Sequence, residues 1–134
     1  MRERPEPPAE VVSRLRGICL ALPDAYEEKA WTGVRWRVRN DTFAHVLMVA
    51  AGWPPAYARA AGSGGPMCVL TFRSAVAGLD PQHYAQAPFF RPRWWPDIVG
   101  LRLDAATDWG AVEELVRGSY ALLAPLKLGR RLDP

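Results

Sequence analysis

Three arginines alternate with apolar residues in one short stretch, Val34-Arg35-Trp36-Arg37-Val38-Arg39, closed by Asn40-Asp41. Successive side chains of a strand point to opposite faces. Val34, Trp36 and Val38 therefore make an apolar face, and the three guanidinium groups stand about 7 Å apart on the other. Guanidinium is planar and bidentate, which suits phosphate oxygens. A second segment, Phe89-Phe90-Arg91-Pro92-Arg93-Trp94-Trp95, mixes rings with guanidinium groups. Such a mixture stacks bases and holds the backbone of a single strand. Trp and Arg also dominate the anchor residues of protein interfaces. The candidate nucleic-acid contacts are thus Arg35, Arg37, Arg39, Arg91 and Arg93 on phosphate, with Trp94 or Trp95 stacking. The plainer alternatives are a solvated outer face whose charges discourage aggregation, and rings tucked into the core beneath a stacked arginine.

These residues belong to a chain of 134 residues with a formal net charge of +3. The surplus lies in the middle. Residues 31–102 hold eight arginines against three aspartates, whereas residues 1–30 hold five basic and six acidic side chains. Fifteen of the seventeen basic residues are arginine. A GC-rich genome gives the same bias, and the accompanying Ala, Pro and Gly favour that origin.

Catalytic chemistry has no visible carrier. His45 and His83 lack a second ligand at metal spacing, so neither a metal nor a cofactor is expected. Asp24, Glu27 and Glu28 read as a solvated acidic patch on an exposed connection. Ser13, Ser63, Ser74 and Ser119 have no nucleophile-elbow context. Cys19 and Cys68 lack a basic neighbour that would lower a thiol pKa. They read as two reduced core thiols of a cytoplasmic protein. The Gly62–Pro66 run is followed by no Lys-Ser/Thr and opens no helix, so it is no phosphate loop. No apolar run approaches the roughly 18 residues of a membrane span, and the N-terminus lacks the apolar core of a signal peptide.

The positioning elements follow from periodicity. Residues 1–7 form a loose tail. Pro8 opens a helix whose Val12, Leu15, Cys19 and Leu22 share one face. Residues 24–33 read as a connection. Strands over 34–39 and 42–50, joined by an Asn40-Asp41 turn, make a hairpin. Residues 51–66 read as a loop, Met67–Arg73 as a buried strand, and 75–87 as short helical turns, with a start at Asp80-Pro81. Three prolines within 88–96 exclude a central strand there. A strand over 98–103 precedes a final helix capped by Thr107 or Asp108. Residues 129–134 are a basic tail. Strands between two terminal helices predict one α+β domain over residues 8–128. It is a two-layer sandwich, both helices on one face of an antiparallel sheet and the other face open or meeting a partner.

The order of several motifs resembles the MmcQ/YjbR family of small bacterial proteins. They are Cys19-Leu-Ala-Leu-Pro-Asp, Glu27-Glu28, Arg37-Val-Arg and Phe43-Ala, then the strand near Leu70. The Trp95–Asp104 stretch, Asp108-Trp109 and Ser119-Tyr120-Ala-Leu-Leu-Ala-Pro-Leu-Lys127 complete the series. The resemblance spans about residues 10 to 128. It implies a frataxin-like (CyaY-like) fold and weak DNA binding, as members are described as double-wing DNA-binding proteins. The chain departs from the pattern in its long 51–66 loop and at Pro96. A frataxin-like fold suggests iron, but the first helix carries only Glu10, so that route is not expected. The expectation is a non-catalytic DNA-binding protein, or otherwise a module that binds a protein partner or itself.

Overall fold

A computed structural model describes residues 5–125. The elements run α1 (Ala9–Cys19), β1 (Tyr26–Lys29), β2 (Val34–Val38), β3 (Asp41–Val49), α2 (Pro55–Ala61), β4 (Met67–Arg73), α3 (Ala75–Leu79), β5 (Phe89–Phe90), β6 (Ile98–Leu103) and α4 (Trp109–Leu123). Six antiparallel strands form one sheet in the order β1-β2-β3-β4-β6-β5. The α+β class and the placement of the terminal helices are as the periodicity predicts. The expected 129–134 tail lies outside the described residues, as does Lys127 of the motif series.

One face of the sheet is closed by α1 and α4. Leu15 and Cys19 of α1, and Val112, Val116 and Tyr120 of α4, pack on Trp36, Val38, Phe43, Val46, Leu70, Phe72, Val99 and Leu101. Tyr120 meets Phe43 edge-on at 5.4 Å between ring centres and donates its hydroxyl to the Pro23 carbonyl at 2.7 Å. Trp36 is wholly buried. Its indole N–H is satisfied by Glu27 at 2.9 Å, as a buried ring donor requires. Opposite β2, a bulge leaves Phe43 without a partner between the pairs Trp36↔Ala44 and Arg37↔Thr42. Phe43 and Ala44 thereby both enter the same core. The bulged Phe43 carbonyl accepts from the Ser119 hydroxyl at 2.7 Å, and that hydroxyl oxygen accepts the Arg73 amide at 2.8 Å.

The second face is half covered by the chain itself, where a face open or meeting a partner was expected. α2 starts on Pro54-Pro55 and ends on Gly62 in the left-handed region, a favourable opening and close. It lays Tyr57 over Leu47, Val49, Met67 and Val69, with Phe90 of β5 beside them. Phe90 sits directly on Gly100, where an added Cβ would lie 2.2 Å from the ring. The segment 51–66 thus contains a helix that its Ala/Gly/Pro composition hides.

Three other expectations need correction. Residues 26–29 are a strand, because Tyr-Glu-Glu-Lys pairs at the sheet edge, where alternation of apolar residues is not required. The hairpin turn falls on Arg39-Asn40, one residue earlier than expected, with Arg39 at φ 55°. Asp80–Tyr84 is a turn and no helix; Tyr84 has φ 64° and its ring lies against Phe72 and Phe89.

Candidate functional site

Burial of Trp36 and Val38 under the helices forces Arg35 and Arg37 onto the second face. Strand register then builds a row across that face. Arg35 pairs with His45, His45 with Thr71, Thr71 with Gly100 and Gly100 with Phe90. Arg73, two residues beyond Thr71, lies on the same side. Arg35, His45, Thr71 and Arg73 floor a cleft of about 360 Å³ walled by Trp31, Tyr57, Trp94 and Trp95. That volume lies at the low end of ligand pockets, roughly 300–1,000 Å³.

The walls are aromatic and accessible. Trp31 is 67 % exposed, Trp95 53 % and Trp94 39 %. Trp94 stacks edge-on against Tyr57 at 5.0 Å, and Trp31 lies 6.5 Å from the same ring. The Arg73 guanidinium sits over the Trp95 ring at 4.6 Å, a cation–π geometry. Trp94 also walls a second hollow, of about 310 Å³, lined by Arg59 and Arg93. One tryptophan therefore stands between two arginine-bearing hollows.

The charges are partly paired. Glu28 bridges Arg35 and Arg37, the latter at 3.0 Å. Loss of water around Glu28 works to raise its pKa. The hydrogen bonds and charges of the two arginines outweigh this and hold it below the usual carboxylate range. Arg73 is held by Asp97 at 2.8 Å. Asp41 also lines the cleft. Three guanidinium groups thus face three carboxylates, and Arg59 and Arg93 beyond Trp94 add two positive charges. The Nε–H groups of Arg35 and Arg37 are buried without a partner, and each guanidinium has five donors. Donors therefore exceed the acceptors that the chain supplies.

Of the residues expected at the site, Arg35, Arg37, Trp94 and Trp95 converge on the cleft, and Arg93 flanks it. Arg39 sits in the hairpin turn, because strand β2 ends at Val38. Arg91 is not a phosphate contact. Its guanidinium donates to the carbonyls of Ile98, Pro81, His83, Ala77 and Pro96 and so ties α3, the turn after it and the entry to β6 together. Glu27 is not a solvated acid either. Arg16 binds it through two nitrogens at 2.8 and 3.0 Å and, with Trp36, keeps its pKa low.

Sequence reasoning missed Trp31, Tyr57, Arg59 and Arg73. Arg73 was legible in principle, since Cys68, Leu70 and Phe72 alternate with Val69, Thr71 and Arg73. Trp31, Tyr57 and Arg59 lie in segments with no periodicity, and only tertiary folding brings them to the site. Among the described residues no three His, Cys, Asp or Glu side chains cluster as a metal site. Cys19 and Cys68 are buried and free, and burial raises both thiol pKa values, that of Cys68 to about 12. Neither is poised as a thiolate.

Comparison with known proteins gives a fold and no activity. No family model matches the chain, and no curated protein matches it. Among solved structures, the Deinococcus radiodurans protein DR2400, a DUF419-domain protein, superposes with a TM-score of 0.60 at 18 % identity. The match covers 90 % of this chain and 86 % of that one. The chain shares the α+β fold of that protein.

Proposed function

We propose that the protein is a non-catalytic binding module for single-stranded nucleic acid. Its strand runs from the Arg35–Arg37–Arg73 cleft across Trp94 to the Arg59–Arg93 hollow. The observation that carries this reading is the shared tryptophan between two arginine-bearing hollows. Stacked rings with flanking guanidinium groups bind single strands without sequence-specific contacts. A duplex fits less well, because α2 and the tryptophan loop break the sheet face into hollows. The motif order that resembles the MmcQ/YjbR family, with its DNA-binding description, supports the same class of ligand. Buried free thiols favour a reducing, cytoplasmic setting, and no described helix is long and apolar enough to cross a membrane.

Fluorescence anisotropy of labelled single strands across a salt series tests the proposal. Each phosphate contact contributes about 0.7 to the slope of log K against log salt. The joint change Arg35→Ala and Arg37→Ala lowers that slope, and so does Arg59→Ala with Arg93→Ala. Absence of binding, or a slope indifferent to both pairs, rejects it. A second reading, self-association or a protein partner on the same surface, draws on the exposed Trp31, Trp94 and Trp95. Concentration-dependent sedimentation that Trp95→Ala abolishes would favour it.

A further inference from the structure

Building on the single-strand reading, we infer that His45 reads the base held in the cleft, its Nδ1 accepting a hydrogen bond from a ring that carries an amino or N–H donor. His45 lies on the floor of the cleft, 8 % exposed. Its Nε2 is 2.7 Å from the Thr32 carbonyl, which can only accept. Nε2 therefore carries the ring hydrogen. The Thr32 carbonyl is fixed by the turn at Gly33, which has φ +74° and rests on the β3 backbone. There any Cβ would collide with the Val46 carbonyl oxygen at 1.9 Å.

The imidazole is held neutral. Burial lowers its pKa most, the Thr32 carbonyl opposes this, and the charge of Arg35 lowers it further. A neutral ring with hydrogen on Nε2 has a bare lone pair on Nδ1. The donor facing that lone pair is the Tyr57 hydroxyl at 3.5 Å, the outer limit of a hydrogen bond. Of the charged groups that line the cleft, Arg35, Arg37 and Arg73 are donors only, and the Asp41 carboxylate only accepts. Phosphates satisfy those donors whatever the base, whereas Nδ1 exchanges the distant Tyr57 hydroxyl for a closer donor only where the ring above it carries a hydrogen. A ring without one leaves Nδ1 with only that distant hydroxyl, and a site with a weakly paired acceptor disfavours an analogue that lacks the polar group.

The tautomer is tested first, by nitrogen NMR of the histidine-labelled full chain at neutral pH. The expected spectrum shows hydrogen on Nε2 and none on Nδ1; the reverse, or a doubly protonated ring, overturns the inference. Two single strands of equal length then serve as probes, one with adenine and one with unsubstituted purine, the same ring lacking its amino group. The purine strand binds about tenfold more weakly, and the adenine strand shifts the Nδ1 resonance. His45→Phe removes the tenfold gap, while Tyr57→Phe retains it. Should His45→Phe fail to fold, the Nδ1 shift in the unaltered chain decides. Equal binding of both strands, or a gap that survives in His45→Phe, overturns the role of His45 alone. Failure to bind either strand overturns the single-strand reading and this inference with it.

Discussion

The two faces of the sheet solve different problems with the same strands. The face under α1 and α4 is apolar and closed, and its polar groups, the Trp36 indole and the Ser119 hydroxyl, are each spoken for. The other face is apolar only beneath α2 and otherwise carries guanidinium groups, a buried imidazole and exposed tryptophans. Period-two alternation writes both at once, so Trp36 and Arg35 are neighbours in sequence but differ in task. The contrast separates residues that hold the fold from residues free to meet a ligand.

Substitutions on the closed face should show the largest effects on stability. Trp36→Ala removes a wholly buried ring and costs about 3–5 kcal/mol, measured by denaturant unfolding. A loss under 1 kcal/mol would mean that the helical layer does not carry the fold. Ser119→Ala strands the Phe43 carbonyl and the Arg73 amide. It should cost about 1–3 kcal/mol, with Ser119→Thr as the variant that keeps the hydroxyl.

At the boundary of the two tasks stands His45, and pH isolates it. Its pKa in the folded chain lies below the ordinary 6.5. As pH falls below about 6.5, the unfolded chain takes up a proton that the folded chain resists. Stability is therefore full above that pH and declines beneath it, until the folded ring also protonates. His45→Gln should flatten this part of the profile. Glu27 and Glu28, both held low by arginines, act only at more acidic pH, below their ordinary 4.5. A wild-type profile flat between pH 7 and 5 would refute a buried neutral imidazole.

The smallest effect on stability belongs to the cleft arginines. Arg35→Ala with Arg37→Ala breaks part-exposed ion pairs to Glu28 and the Arg37 bond to the Asn40 carbonyl, so unfolding should move less than with either change on the closed face. The same pair of changes should lower the salt slope of single-strand binding by about 1.4, from two contacts at about 0.7 each. A large stability loss with an unchanged slope would reassign both arginines to the scaffold.

Much of the fold was legible because α1, β2, β4, β6 and α4 are long enough for their periods to show. Asp108 as the cap of α4 was readable too, since its side chain accepts the Ala111 amide. β1 and α2 were not, because Tyr26–Lys29 is charged and Pro55–Ala61 is short and small-sided. The site was half legible. Alternation found Arg35 and Arg37, but one residue of turn placement removed Arg39. Arg91 was indistinguishable from Arg93 in sequence, since only the loops around it decide which guanidinium is consumed by carbonyls.

The sheet also ends bluntly on both sides. β1 offers four residues bearing Glu27, Glu28 and Lys29, and β5 only two. Neither border is a long flat template onto which a neighbouring polypeptide could zip by main-chain hydrogen bonds. Encounters between copies of this chain are thereby steered from strand addition toward the tryptophan-bearing surface, the same ground that a ligand would occupy. Occupancy by ligand and crowding by like molecules would then compete for one set of rings.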